Sequence, residues 1–252
     1  MSRGYPVSAS EPPVSPGREL LLLLSPGAAL ALAGIACAQQ GAVPADSALP
    51  AAGRPVAGIV SISWDSESRR DAAGEAVRVF TLVGLEPGMR VADIGAGAGY
   101  YAVRLARRLG SGGTVYAQDI SQETLDSLRA RLARERLAGV ALVLGAPDNP
   151  RLPAGSLDLA ILSHMYHEIA RPYDFLFNLQ PAFAPGGRVA VIDSDKPTGS
   201  HGTPPETLRC EMAALGYREL SFSTLEPAAG YLALFAAPDT RPRPGAVVAC
   251  KP

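Results

Sequence analysis

An α/β domain built on a mostly parallel sheet is predicted by three observations. Apolar periodicity alternates between helical and strand types along the chain, Gly- or Pro-marked turns separate the segments, and one strand runs directly into a glycine loop and a helix. No internal repeat or low-complexity tract interrupts this order. The 252 residues are 47% apolar and 19% charged, enough for one globular domain with additional segments. Twenty-three basic residues against 24 acidic ones give a formal net charge of -1, without the cationic surplus that binding to a phosphate backbone requires. A dedicated nucleic-acid binder is therefore excluded. Cys37, Cys210 and Cys250 lie far apart and lack Cys-x-x-Cys spacing, so neither a zinc motif, a redox motif nor a disulfide framework can be read.

The first element is an apolar run, Leu20–Ala36, which follows Arg18 and is interrupted by Pro26. It is short for a membrane span, and Ala36-Cys37-Ala38 supplies the small residues a signal peptidase reads. Residues 1–38 are thus expected to be a signal peptide cleaved before Gln39, which makes the protein exported and periplasmic. An uncleaved anchor is the alternative, and membrane contact is confined to this segment. Residues 39–58 shift to Ala, Pro and Gly and are expected to be a flexible linker. The domain proper is placed at 59–238, with 239–252 as a C-terminal tail.

Within the domain, Ala73, Ala76, Val77, Phe80 and Val83 recur at helical spacing and predict a helix over 70–83, ended by Gly84. Val91–Ile94 reads as a strand, Gly95–Gly99 as a loop, and the next helix turns Ala102, Val103, Ala106 and Leu109 inward and Arg104, Arg107 and Arg108 to solvent. A second strand covers Thr114–Gln118 and ends at Asp119, and Ser121 caps the long helix that follows. Strands at 140–144, 157–162 and 188–192 come next, the last two separated by a helix through Phe175, Leu176 and Leu179 and by the turn Pro185-Gly186-Gly187. Thr203-Pro204-Pro205-Glu206 predicts a capping box opening a helix to about 215, and 217–223 with 231–236 make a closing hairpin.

The glycine spacing decides the ligand class. Dinucleotide folds use G-x-G-x-x-G, whereas here the third glycine comes one place early, giving G-x-G-x-G. Gly95 and Gly97 let the backbone pass close under a ligand, and Gly99 lets the helix pack on the strand. Asp93, at the strand end, would repel a pyrophosphate and suits a cationic or hydroxyl-bearing ligand, so S-adenosyl-L-methionine (SAM) is favoured over NAD. On Val91-Ala92-Asp93-Ile94-Gly95-Ala96-Gly97-Ala98-Gly99 with Asp119 after the second strand, the chain resembles the class I SAM-dependent methyltransferases. Leu152-Pro153-Ala154-Gly155-Ser156-Leu157-Asp158 and Pro185-Gly186-Gly187 are further matches, and together the likeness runs over about 64–237.

The resemblance implies a Rossmann-like fold, a seven-stranded sheet with an antiparallel last strand. It carries Asp93, Gly95, Gly97 and Gly99 to the methionine side of the cofactor and Asp119 to its ribose hydroxyls, and Ala96, Tyr100 and Ile120 beside them are further cofactor-binding candidates. The acidic residue that the family places after strand three, at the adenine, aligns with Ala146, so Asp148 or Asn149 must replace it or the contact is absent. Trp64, Arg70-Asp71, Tyr166-His167-Glu168-Ile169 and His201-Gly202 are similar to a subgroup of exported bacterial methyltransferases.

All three histidines, His164, His167 and His201, follow strands four and five, which would deliver them to one cleft. His167 is the candidate general base, with Tyr166 orienting a methyl acceptor and Glu168 or His201 fixing the imidazole tautomer. A metal site is the rival reading, but His-x-x-His-Glu is not the H-E-x-x-H helix spacing, and no metal is assigned. After strand four, Ser163-His164-Met165-Tyr166 lacks the Asn/Asp-Pro-Pro-aromatic run of amino-group DNA methyltransferases, and no Pro-Cys nucleophile exists for pyrimidine C5 transfer. A small-molecule acceptor is the default. The competing classes are a non-catalytic SAM binder and a nicotinamide oxidoreductase. Plainer readings make Asp119 a helix cap, Asp93 a turn residue, Trp64 a packing residue, and Asp193 and Asp195 ordinary loop acids. Tyr100 and Tyr101 are expected to divide, one against the core and one toward the cofactor.

Overall fold

Seven strands form one sheet in the order β3-β2-β1-β4-β5-β7-β6 in the computed structural model, which describes residues 48–59, 67–225 and 230–251. All of them belong to the compact unit Gly41–Pro252. The strands are β1 (Arg90–Ile94), β2 (Thr114–Asp119), β3 (Val140–Leu144), β4 (Leu157–Ser163), β5 (Phe183–Asp193), β6 (Arg218–Thr224) and β7 (Tyr231–Ala236). The first five pair in parallel, while β7 runs antiparallel to both of its neighbours, as expected. The helices are α1 (Glu67–Ala72), α2 (Glu75–Leu82), α3 (Tyr100–Leu109), α4 (Gln122–Arg134), α5 (Pro172–Leu179) and α6 (Pro205–Ala214).

The central strands read as nearly continuous apolar runs because both of their faces are covered. Val91, Leu159, Ile161 and Ala190 face one cluster with Val79, Phe80, Leu105 and Leu128 from α2, α3 and α4. Ala92, Ala160, Leu162, Val189 and Val191 face the other, with Leu176, Leu208 and Met212 from α5 and α6. This strict alternation fixes the register, since a slip of one residue would exchange the two faces.

Several local expectations are corrected. The single helix over 70–83 is two helices, broken where Gly74 takes a left-handed φ of 65° that ends the first and starts the second. The buried stripe on α2 is Ala76, Val79, Phe80 and Val83, and Val77 is exposed. Pro185-Gly186-Gly187 lies within β5, where the pairing with β4 shifts between Leu157 and Leu159. Thr203 caps no helix, because its hydroxyl donates to Asp193 at 2.7 Å and Pro204 occupies the N-cap. Ser121 does cap α4, accepting from the Thr124 N–H at 3.1 Å.

The described part of the expected linker, 48–58, is packed onto the domain. Leu49, Arg54 and Ala57 are buried, and the Arg54 Nε donates to Glu211 on α6 at 2.8 Å with both side chains almost fully enclosed. The Pro55 carbonyl accepts from the Thr198 hydroxyl, and the Ala57 N–H donates to the His167 carbonyl. Composition misled here because two or three anchored residues order a segment that is otherwise Ala, Pro and Gly. The tail is fastened as well: Cys210 on α6 and Cys250 form a disulfide, and the Cys250 N–H donates to the Tyr173 hydroxyl at 2.7 Å. A pairing across 40 residues leaves no local spacing to read. The expected signal peptide 1–38 with its cleavage point at Gln39, the linker residues 39–47, and Trp64 lie outside the described residues.

Candidate active site

The order of the sheet reverses between β1 and β4, and the crevice outside the carboxyl ends of the strands at such a reversal is the position where open α/β sheets bind ligands. One side of it is made by the glycine loop. Gly97 holds a left-handed φ of 52°, and a Cβ there would meet only the Gly95 carbonyl oxygen, at 3.9 Å, so its backbone can lie directly under a ligand. A Cβ on Gly95 would meet the Met165 side chain at 3.1 Å, which places Met165 over the loop. Gly99 is required for a different contact from the one expected. Its missing Cβ would stand 2.3 Å from Leu128, so it admits α4 against the start of α3 rather than packing helix on strand.

Asp119, half-buried at the end of β2, accepts from the Gly97 N–H at 3.0 Å with one oxygen and from the Ser121 N–H at 3.0 Å with the other. It is thus a bracket between the loop and the next helix, and each oxygen keeps a further lone pair for a ligand hydroxyl. Ile120 beside it and Leu144 at the end of β3 are exposed apolar side chains on strands that pair at Asp119 and Leu144, a platform suited to a flat heterocycle. Ala96 donates its N–H to the Gln118 carbonyl and belongs to the frame of the loop. Of the two replacements expected at the adenine, Asn149 is committed to its own turn, its side-chain oxygen accepting from the Arg151 N–H. Asp148 keeps a half-buried side chain while its carbonyl accepts from Asn178.

Asp93 is buried and accepts from the Ala102 N–H at 2.8 Å, holding the first turn of α3. Burial pushes its carboxyl up to about 7, the Ala102 hydrogen bond opposes this, and the charge of Asp119 adds to it. Because the folded value is raised, the stability this group contributes is present below pH 4 and lost as pH rises through 7. A bound cation reverses that penalty.

An ion-pair network that sequence reasoning missed closes the outside of the loop. Glu67 on α1 pairs with Arg131, whose Nη1 also donates to the Ala98 carbonyl of the glycine loop at 2.9 Å. Asp71 pairs with Arg104, and Arg70 with Glu75, so Arg104 is not the solvated residue expected. Tyr100 and Tyr101 do not divide. Both are buried, Tyr100 lies between the Arg70 and Arg104 guanidinium groups at 3.6 and 3.8 Å from its ring centre, and Tyr101 donates to Glu75 at 2.9 Å. Tyr100 therefore offers no open ring face to a cofactor. Burial would raise the Glu75 carboxyl, but Arg70 overcomes this and holds it low.

Across the crevice, the histidines do converge. His167, fully buried on the turn Tyr166–Glu168, is bonded through Nδ1 to the Asp193 carboxylate at 3.0 and 3.1 Å. Asp193 ends β5, is itself fully buried, and accepts from the Ser194 N–H and the Thr203 hydroxyl. Asp193 is therefore no ordinary loop acid, and it, rather than Glu168 or His201, fixes the His167 tautomer. Asp195 is exposed. The His201 ring stands edge-on to His167 with centres 5.5 Å apart. His164 follows β4 with a left-handed φ of 54°, and burial lowers its pKa, which keeps it neutral. Tyr166 points away from any acceptor: its hydroxyl donates to Glu211 at 2.8 Å, and Arg54 lies over its ring. It belongs to the support of the site.

This sheet order, a glycine loop after β1 and a carboxylate after β2 define a Rossmann-like fold of the class I methyltransferase type. Residues 92–191 match the family described as a methyltransferase domain. Over this stretch the chain is similar to methyltransferase domains, and it has the fold of SAM-dependent methyltransferases, the class whose cofactor is SAM. Among relatives, it is 36% identical over 88 residues to nocamycin O-methyltransferase of Saccharothrix syringae, covering 35% of this chain and 31% of that one. It is 29% identical over 120 residues to the ubiquinone/menaquinone biosynthesis C-methyltransferase UbiE of Azotobacter vinelandii, covering 47% of each. The chain thus spans less than half the length of these relatives. A SAM-dependent methyltransferase from Aquifex aeolicus shares the fold with a TM-score of 0.60 at 21% identity, over 68% of this chain and 98% of that one.

The residues present fit this cofactor. The glycine loop with buried Asp93 suits the cationic methionine end, Asp119 the ribose hydroxyls, and Ile120 with Leu144 the adenine.

Proposed function

We propose that this protein transfers the methyl group of SAM to a small-molecule acceptor, with His167 taking the acceptor's proton. SAM supplies a methyl carbon made electrophilic by a sulfonium. The acceptor lone pair forms the new bond to that carbon as the carbon–sulfur bond breaks and its electron pair returns to sulfur, leaving S-adenosylhomocysteine. The acceptor proton passes to Nε2 of His167, and Asp193 on Nδ1 stabilises the imidazolium that results. The pairing of His167 with Asp193 across the ends of β4 and β5 is the observation that carries this reading. The two relatives methylate oxygen and carbon by name, so the acceptor atom is left to experiment.

Calorimetric titration with SAM tests the cofactor half. Asp119→Ala removes charge-assisted hydrogen bonds, typically ~1.5 to 3 kcal/mol each, and should weaken binding at least tenfold. Wild-type affinity should also be higher at pH 8 than at pH 6, because ionised Asp93 favours the cationic ligand. Equal affinities in wild type and variant, or tighter binding of NADH, would reject the assignment.

We further propose that the protein is exported and acts in an oxidising compartment, where the Cys210–Cys250 disulfide is expected to persist. The apolar run before Gln39 supports the same reading. Non-reducing intact-mass analysis of protein from its native host should give a chain beginning near Gln39 with both cysteines oxidised. A full-length, reduced chain in the cytosol would overturn it.

A further inference from the structure

We propose that His167, Glu168 and His201 form a binding site for one divalent transition-metal ion of the kind held by imidazole and carboxylate together, such as zinc or cobalt(II). Each residue offers one ligand atom, and these atoms lie within 4.8 Å of one another, close enough for a small adjustment to bring them around one ion. Two of them come from the turn after β4 and the third from the loop after β5, so the site bridges neighbouring strands.

The support behind the ligands is already built. A metal-bound histidine is ordinarily held by a carboxylate or carbonyl on its other ring nitrogen, and Asp193 does this to Nδ1 of His167, which assigns Nε2 as the ligand atom. Asp193 is fixed in turn by Ser194 and Thr203. His201 is equally constrained. Its backbone is left-handed with φ 56°, and the following Gly202 is packed so tightly that a Cβ there would stand 2.5 Å from the Ser194 carbonyl oxygen. Three protein ligands leave a further coordination position open.

The inference rests on the preceding reading in one respect. Nε2 is also the atom assigned to proton removal, so ion and proton compete for a single lone pair, and a loaded site is withdrawn from base catalysis.

The test uses the full chain without an affinity tag, stripped with chelator and titrated with Co²⁺ by visible absorption and Zn²⁺ by calorimetry. One equivalent should bind. His201→Ala and Glu168→Gln should each weaken binding at least tenfold, and Asp193→Asn should weaken it by ~10- to 100-fold. SAM titration on the same samples reports folding, with His201→Asn as a second variant should alanine disturb the loop. Absence of binding at millimolar metal, or equal affinity in wild type, the His201 variants and Glu168→Gln, overturns the metal site and leaves the cofactor assignment standing. One-equivalent binding that these variants weaken, in protein that fails to bind SAM, would uphold the metal site and reject the other reading.

Discussion

His167→Ala is expected to lower methyl-transfer turnover by ~10²- to 10⁴-fold while leaving the SAM dissociation constant unchanged. The magnitude follows from what the residue is held to do. On the proposed reading, Asp193 fixes one ring nitrogen and would stabilise the charged imidazole while the other takes the proton, a role confined to the chemical step. Cofactor binding is assigned to the glycine loop and Asp119 on the opposite side of the crevice. Turnover is read as S-adenosylhomocysteine formation with whichever small molecule the wild type methylates, alongside calorimetry with SAM. A variant that turns over normally would remove the base assignment. One that loses SAM affinity in step with turnover would show the histidine to be architectural.

Arg54→Ala should destabilise the fold by ~3 to 5 kcal/mol, the usual consequence of leaving one member of a buried ion pair without its partner. Glu211 is 1% exposed and, among the described residues, would keep the Tyr166 hydroxyl, which cannot neutralise it. The effect is read from the denaturant midpoint with the slope checked for constancy. Arg54→Met combined with Glu211→Leu should recover most of the loss, because it removes both charges together. If Arg54→Ala unfolds at the wild-type midpoint, the ion pair does not hold residues 48–59 in place.

The contrast between these two sites shows which kinds of information a single sequence carries. The glycine loop, the carboxylate after β2 and the Ser121 cap are legible because each role is completed within a few residues of chain. The convergence of three histidines is legible because parallel strands deliver their carboxyl ends to one side. Asp193 was passed over because its partner sits on the turn after β4, 26 residues earlier, and only the register of two strands brings them together. Arg54 and Glu211 are 157 residues apart, and no local pattern distinguishes a lone arginine in an Ala- and Pro-rich stretch from a solvated one. Tyr100 is expected at the cofactor from its place next to the glycine loop, and Tyr166 at the acceptor from its place beside His167. Both instead satisfy buried charges, a demand visible only once the arginines and carboxylates around them are placed.

The bond between Cys210 and Cys250 also bears on how copies of this protein behave toward one another. The segment it closes contains the whole of β6 and β7. β6 is an edge strand, and Leu220 and Phe222 on it are exposed. Such an edge invites strand pairing between molecules, and a hairpin at a sheet edge is an element that can be exchanged between protomers. A covalent ring around both strands opposes exchange of the hairpin by itself, since its far end stays tied to α6. In the oxidised protein, exchange of the hairpin therefore has to carry α6 with it, whereas reduction lets the hairpin move alone.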